Sequence, residues 1–91
     1  MPKKPLTKRP TRPLHTIADE ILADINSGVW SKASAFHAAP YLRAMRELSA
    51  ITDNYLLDSG KSVVRYFLAN ASTWRGETAR RIKDELRGML A

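Results

Sequence analysis

Basic side chains supply the clearest chemistry in this sequence of 91 residues, and they are concentrated at its two ends. Residues 1–13 contain four prolines, no acid and five basic residues, namely Lys3, Lys4, Lys8, Arg9 and Arg12. Residues 14–60 contain three basic and six acidic residues, whereas residues 61–91 contain seven and three. Such groups bind phosphates and acidic protein surfaces. The sequence therefore predicts a basic arm of charge +5 and a bipolar body, −3 and then +4.

The residues that could perform catalysis or bind a metal do not form a convincing set. Gly60-Lys61-Ser62 matches the end of a phosphate-binding loop, but the first glycine of that motif would fall on Tyr55. His15 and His37 lie far apart, and neither has a second histidine at ligand spacing. Asp19 is four residues after His15, but His15 is predicted to precede the first helix. Cysteine is absent, which excludes disulfides and a thiol nucleophile. We therefore expect no catalytic residues, no metal and no cofactor, and hence a protein that is not an enzyme.

Length and composition favour one small domain. The apolar fraction of 44% is ordinary for a globular chain. No apolar run approaches the roughly 18 residues of a membrane span, and no apolar segment follows the basic N-terminus as in a secretory signal. The sequence predicts a soluble, cytoplasmic protein without a membrane partner. It divides into a disordered arm at residues 1–13 and a single helical domain at residues 14–91.

Apolar spacing predicts the helices that must position the basic residues. Ile17, Ile21 and Ile25 repeat at helical spacing, which predicts a helix over residues 17–27 capped by Thr16. Pro40 begins a second helix, whose apolar stripe continues to Leu56 before Asp58-Ser59-Gly60 ends it.

Two further helices complete the predicted fold. Residues 62–71 are apolar almost all round, a pattern that suits a buried helix or a strand; with no second strand candidate, we interpret them as a helix. Ser72-Thr73 offers caps for a last helix with Ile82 and Leu86 on its apolar face. The predicted fold is an all-α bundle of four helices, with or without a short extra helix near residues 31–38.

Aromatic residues are predicted to pack in the core. Val29, Trp30 and Phe36 are interpreted as anchors for the connection between the first two helices, and the tyrosines and Phe67 as core residues. Trp74 has two interpretations. Its spacing to Ile82 favours a place in the core, whereas its position beside Arg75 would suit stacking on a base or contact with a partner protein.

Residues 68–86, LANASTWRGETARRIKDEL, resemble the helix-turn-helix of bacterial and phage repressors. Leu68-Ala69 matches the packed positions of the first helix, Trp74 the apolar turn position, and Thr78-Ala79 a Thr-Val step. The resemblance implies that the last helix enters the major groove, with Arg75, Arg80 and Arg81 near phosphates or base edges. Lys83 and Arg87 add to the basic residues of the same helix.

Residues 62–90 also resemble segments of small phage- and prophage-encoded helical proteins of uncharacterised function, which implies an accessory role in a bacterial host. Together these features predict a small nucleic-acid-binding accessory or regulatory protein whose basic arm contacts phosphates. The alternative is a protein-interaction module, such as a phage-encoded modulator of a host protein or an oligomerising helical unit, which would bind an acidic protein surface. The arm itself has a further interpretation as a solubilising segment.

Overall fold

The computed structural model describes residues 11–91, which are mostly helical. Five helices occur in this part of the chain: α1 (Leu14–Asn26), α2 (Lys32–Ala35), α3 (Ala39–Met45), α4 (Gly60–Ala69) and α5 (Glu77–Leu90). Between α3 and α4 lies a two-stranded antiparallel hairpin, β1 (Asn54–Tyr55) and β2 (Asp58–Ser59). None of the helices among residues 11–91 has the length and apolar character needed to cross a bilayer.

Helix α1 begins earlier than predicted and without the Thr16 cap. Pro13 is extended, and its carbonyl oxygen accepts the N–H groups of Thr16 and Ile17 at 3.1 and 3.2 Å. The N–H groups of Leu14 and His15 donate to carbonyls in the connection after α3, at 2.9 Å each. The orphan donors of the helix start are thus satisfied by backbone groups, so no side-chain cap is needed.

The predicted second helix is too long, because α3 ends at Met45 and a short hairpin follows. The structure is mostly helical, as predicted, but the all-α bundle of four helices is not confirmed. The carbonyls of Leu48 and Ser49 accept the N–H groups of His15 and Leu14 instead of N–H groups further along their own segment. The Asp53 carboxylate accepts the N–H groups of Ser49 and Ala50 at 3.1 and 2.9 Å, and these bonds lower its pKa. The apolar stripe therefore belongs to three structures in succession: helix, turn and hairpin.

Helix α4 confirms the helical interpretation of residues 62–71, with bounds of Gly60–Ala69. The Ser59 hydroxyl caps it by accepting the N–H of Ser62 at 3.1 Å. A Cβ at position 60 would lie 2.5 Å from the carbonyl oxygen of Ile51. This close backbone approach explains the glycine of Gly60-Lys61-Ser62 without a bound phosphate.

The centre of the domain is aromatic. Trp30 and Trp74 stack with their ring centroids 5.4 Å apart, and Phe67 meets both rings edge-on at 6.2 Å. All three are buried, as predicted for Trp30 and Phe67. The predicted anchors Val29 and Phe36 are instead exposed, as is Tyr66. A short helix near residues 31–38 is confirmed as α2, capped by the Ser31 hydroxyl.

Helix α5 begins at Glu77, later than the predicted caps at Ser72-Thr73. The Thr73 hydroxyl instead accepts the indole N–H of Trp30 at 3.0 Å and so fixes the connection to the core. Gly76 then turns the chain into the helix with φ of +112°, a conformation that favours glycine. Ala79, Ile82 and Leu86 face the core and hold the helix in place.

Candidate nucleic-acid interface

A groove along the first turns of α5 brings basic side chains together. Its volume is about 360 Å³. Four basic residues line it: Arg75, Arg80, Lys83 and Arg87. We call this the basic groove. Residues 76, 79, 80, 83 and 87 share one helix face because they recur every three or four positions. Buried Ala79 contributes only a methyl group to it, which leaves room between the basic side chains.

No carboxylate lines the basic groove among residues 11–91. Within that range Arg75 and Arg80 have no acidic side chain within 4.0 Å. Arg87 forms an exposed ion pair with Asp84 at 3.2 Å. Such pairs are weak because water screens them. The groove therefore keeps most of its positive charge available to a ligand.

Lys83 lies deepest in the groove and is held there by the backbone. Its Nζ donates to the carbonyl oxygen of Trp74 at 2.7 Å and lies 6.0 Å from the Trp74 ring centroid. Burial lowers the pKa of Lys83, and the nearby charges of Arg87 and Arg75 lower it further. An ammonium group has three donors, so two remain for a ligand. An anion in the groove would relieve the repulsion among these three cations.

The opposite flank of α5 carries a second set of charges in which the basic residues are neutralised. Arg12 donates to both carboxylate oxygens of Glu85, at 3.0 and 2.7 Å, and pairs with Glu20 at 3.0 Å. Arg81 also donates to Glu20. We call these four residues the paired cluster. The hydrogen bond with Glu85 is the main cause of a raised pKa at Arg12, and the bond with Arg81 is the main cause of a lowered pKa at Glu20.

The structure thus separates the predicted binding residues. It brings Arg75, Arg80, Lys83 and Arg87 together but places Arg12 and Arg81 in the paired cluster. The remaining arm residues, Lys3, Lys4, Lys8 and Arg9, lie outside the described residues. The pairing of Arg12 was missed by sequence reasoning, because Glu85 is 73 residues away and no local spacing connects the two.

Trp74 is fully buried, as its spacing to Ile82 suggested. Its indole N–H donates to the Asp24 carboxylate at 2.9 Å, and its ring stacks on Trp30. Both its faces and its polar atom are therefore used within the fold. Trp74 contributes to the basic groove mainly through its backbone carbonyl, which holds Lys83.

The connection between α4 and α5 runs from Asn70 to Gly76. It is longer than the turn of roughly three to four residues that joins the helices of a helix-turn-helix. Ala71 and Trp74 within it are buried. No family model, curated protein or solved structure matches the chain. The resemblance to repressors therefore stays a prediction, and the function must be argued from the groove.

No group of three or more His, Asp or Glu side chains among residues 11–91 is placed to hold a metal ion.

Proposed function

We propose that this chain is a small, non-enzymatic nucleic-acid-binding accessory or regulatory protein whose basic groove holds the phosphate backbone. The observation that carries the proposal is the unequal neutralisation of α5. Four basic side chains meet in a groove free of carboxylates, while Arg81 on the other flank is paired with Glu20. A polyanion supplies a phosphate at regular spacing to each of several cations, which a single small anion does not.

Each part of the groove has a role in this proposal. Arg75 and Arg80 are free to form bidentate bonds to phosphate oxygens. Lys83, fixed by the Trp74 carbonyl, supplies a charge at the base of the groove. The N-terminus of α5 lies at the same place and adds the positive end of the helix dipole. The resemblance to a helix-turn-helix and the basic residues 3–9 support the same function, with the arm following the backbone nearby.

The test is a salt titration of binding to a random-sequence DNA duplex, measured by fluorescence anisotropy between about 50 and 200 mM salt. Four phosphate contacts predict that log K falls against log salt with a slope of about −3 to −4 from the groove alone. Arg75→Gln, Arg80→Gln and Lys83→Gln should each reduce the magnitude of that slope by about 1.

Arg81→Gln is the matched control, because it removes the same charge from the same helix at a residue paired with Glu20. It should leave the slope nearly unchanged. Equal effects of Arg80→Gln and Arg81→Gln would mean that net charge alone drives binding and would overturn the role of the groove. Absence of binding to duplex or single strand at low salt would overturn the function itself.

A second candidate function is protein interaction, in the cytoplasm of a bacterial host as the phage resemblance implies. Large apolar side chains are exposed at Phe36 and, side by side in the hairpin turn, at Leu56 and Leu57, and exposed apolar groups that adjoin one another are typical of interaction sites. A pull-down that recovers a stoichiometric protein after nuclease treatment would favour this function over nucleic-acid binding.

A further inference from the structure

The turn of the hairpin presents two leucines to solvent. Leu56 and Leu57 connect β1 to β2 and are 83% and 102% exposed. We call this pair the leucine tip. Neither side chain contributes to the core, although the tip is held on a structured hairpin rather than on a long loop. An apolar pair fixed in this way is suited to insertion into a pocket.

The backbone of the tip is also unfavourable for leucine. Leu56 has φ of 55°, in the left-handed region that glycine and asparagine adopt readily. Two-residue hairpin turns with positive φ at the first central position usually have glycine there. A leucine kept in this conformation, with its side chain in water, is a local cost of the kind found at binding sites.

A groove of matching character lies between α1, α2 and α3. Its volume is about 280 Å³ and its apolar lining includes Leu22, Ile25, Ala39 and Leu42, with exposed Phe36 at one side. We call this the apolar groove. Its remaining lining includes three cations, Lys32, Arg43 and Arg46, and no acidic residue.

The charges of tip and groove are complementary. Asp58 directly follows the leucine tip and is exposed, while cations border the apolar groove. Among residues 11–91, the one ion pair of Arg46 is an exposed contact with Asp19 at 3.7 Å, which is weak. The leucine tip, with its neighbouring carboxylate, therefore matches the apolar groove with its bordering cations, and this chain carries both.

The leucine tip and the apolar groove also lie near each other on the molecule. Arg43 and Arg46 line the apolar groove and, on their other side, a hollow next to Tyr55 of the hairpin. In a contact related by a two-fold axis, each copy would give its tip and receive the tip of the other. Such a contact is closed and self-complementary, unlike a head-to-tail contact that would continue into a fibre.

We propose that the chain forms a two-fold dimer in which the leucine tip of each copy inserts into the apolar groove of the other and Asp58 pairs with its cationic border. This rests on the second candidate function, protein interaction, and is independent of nucleic-acid binding. The basic groove is formed by α5 and the residues just before it. The basic groove and the apolar groove share no lining residue.

The test is sedimentation velocity of the full chain over about three orders of magnitude in concentration. The mass should rise from 10.2 kDa toward twice that value. Leu57→Asp should weaken the dimer at least about tenfold, since it puts a charge into an apolar groove. Val29→Asp is the matched control: Val29 is an exposed apolar residue that lines neither groove, and its replacement should leave the dimer intact.

Two further variants separate self-association from simple loss of structure. Leu56→Gly should weaken the dimer while raising the melting temperature of the monomer, because glycine suits the positive φ. Ala39→Arg should fill the apolar groove and also give a monomer. A mixture of Leu57→Asp and Ala39→Arg keeps one intact tip and one intact groove, so it should associate more strongly than either variant alone.

A chain that stays monomeric at every concentration overturns the proposal, as does a dimer that Leu57→Asp leaves unchanged. A monomer that binds anionic phospholipid vesicles through Leu57 would also overturn it and would assign the tip to a membrane surface. Protein interaction as a function fails separately, if neither Leu57→Asp nor Ala39→Arg alters the recovery of any protein partner of the parent chain.

Discussion

Arg80 and Arg81 are adjacent in the sequence and lie on different flanks of α5, in surroundings of opposite electrostatic character. Arg81 donates to Glu20 of α1, which also pairs with Arg12. Arg80 lies in the basic groove, whose lining within residues 11–91 contains no carboxylate. Residue type is the same in both places. The difference is made by acids that belong to distant parts of the chain.

The comparison changes the meaning of the net charge of +6. Residues 14–60 are acidic and residues 61–91 are basic, but the fold places Glu20 of the acidic part against Arg81 of the basic part. Part of the bipolar charge is therefore used for internal pairing. Four of the other basic residues line the basic groove, where burial first, and then repulsion from Arg87 and Arg75, lowers the pKa of Lys83.

The paired cluster also includes one residue of the basic N-terminal segment, Arg12. Arg12 falls in the basic N-terminal segment by composition, but its guanidinium is bonded to Glu85 and Glu20. Pro13 supplies the carbonyl that starts α1. Arg12 and Pro13 are therefore bonded to α5 and α1, and we expect the part of the arm that is free to bind a partner to end before residue 12.

The largest effect should come from truncation on either side of this boundary. A chain that begins at Leu14 loses the bidentate Arg12–Glu85 bond and the Pro13 carbonyl, whereas a chain that begins at Thr11 keeps both. We expect the first to be less stable than the second by about 2–3 kcal/mol, allowing for partial screening of Arg12. Urea unfolding followed by circular dichroism measures the difference.

This pair of truncations also decides how the arm is tested. DNA binding should be compared between the full chain and the chain that begins at Thr11, because both retain the domain. Equal stability of the two truncated chains would show that Arg12 does not hold the paired cluster together, and the contrast between the flanks of α5 would then rest on Arg81 alone.

An intermediate effect is expected from Glu20→Gln, which removes the shared carboxylate from Arg12 and Arg81. We expect a loss of about 1–2 kcal/mol in the free energy of unfolding, since the pairs are partly exposed. DNA affinity should rise slightly at the same time, because the loss of one carboxylate leaves two unpaired cations on the opposite flank of α5 and raises the net positive charge. Asp19→Asn is the matched control, with the same charge change at an exposed neighbour whose contact to Arg46 is long.

The pH dependence of the free energy of unfolding tests the contribution of Glu20 independently. The pKa of Glu20 in the folded chain is lowered, mainly by its bond to Arg81. Ionised Glu20 therefore stabilises the fold at every pH above the ordinary glutamate pKa. That contribution is lost as the pH falls through the lowered folded pKa. The parent chain should therefore lose more stability than Glu20→Gln between about pH 5 and pH 3. Parallel curves for the two would contradict the role of Glu20.

The predicted helices show where sequence reasoning succeeds. The apolar face of Ile82 and Leu86 has a clear helical pattern and lies in α5. Residues 62–71 suited a helix or a strand, and the helical interpretation is confirmed by α4, which ends at Ala69. The failure after Met45 has a physical cause. Backbone carbonyls at residues 48 and 49 are taken by the start of α1, and the hairpin turns at Leu56 without the Asn-Gly or Gly residues that signal such turns.

The candidate site divides in the same way. Helical spacing places Arg80, Lys83 and Arg87 on one face of α5, and these three line the groove together with Arg75, which precedes the helix. Pairing could not be predicted, because the partners of Arg81 and Arg12 lie 61 and 73 residues away. Only the tertiary packing of α1 beside α5 decides which cations are neutralised.

The smallest effect on stability should come from Arg87→Gln, which tests the boundary between the two kinds of environment. Arg87 lines the basic groove but also pairs with Asp84, and both side chains are well exposed. Loss of the pair should change the free energy of unfolding by less than about 0.5 kcal/mol. If the groove holds phosphates, the slope of log K against log salt should nevertheless fall in magnitude by about 1, because a weak partner such as Asp84 is displaced by a phosphate. An unchanged slope would place Arg87 with Arg81 among the neutralised residues and reduce the groove to three cations.

Asp84→Asn is the complementary variant. It frees Arg87 from its partner, so the chain should bind DNA more tightly. No gain in affinity would show that the Arg87–Asp84 pair does not compete with the ligand.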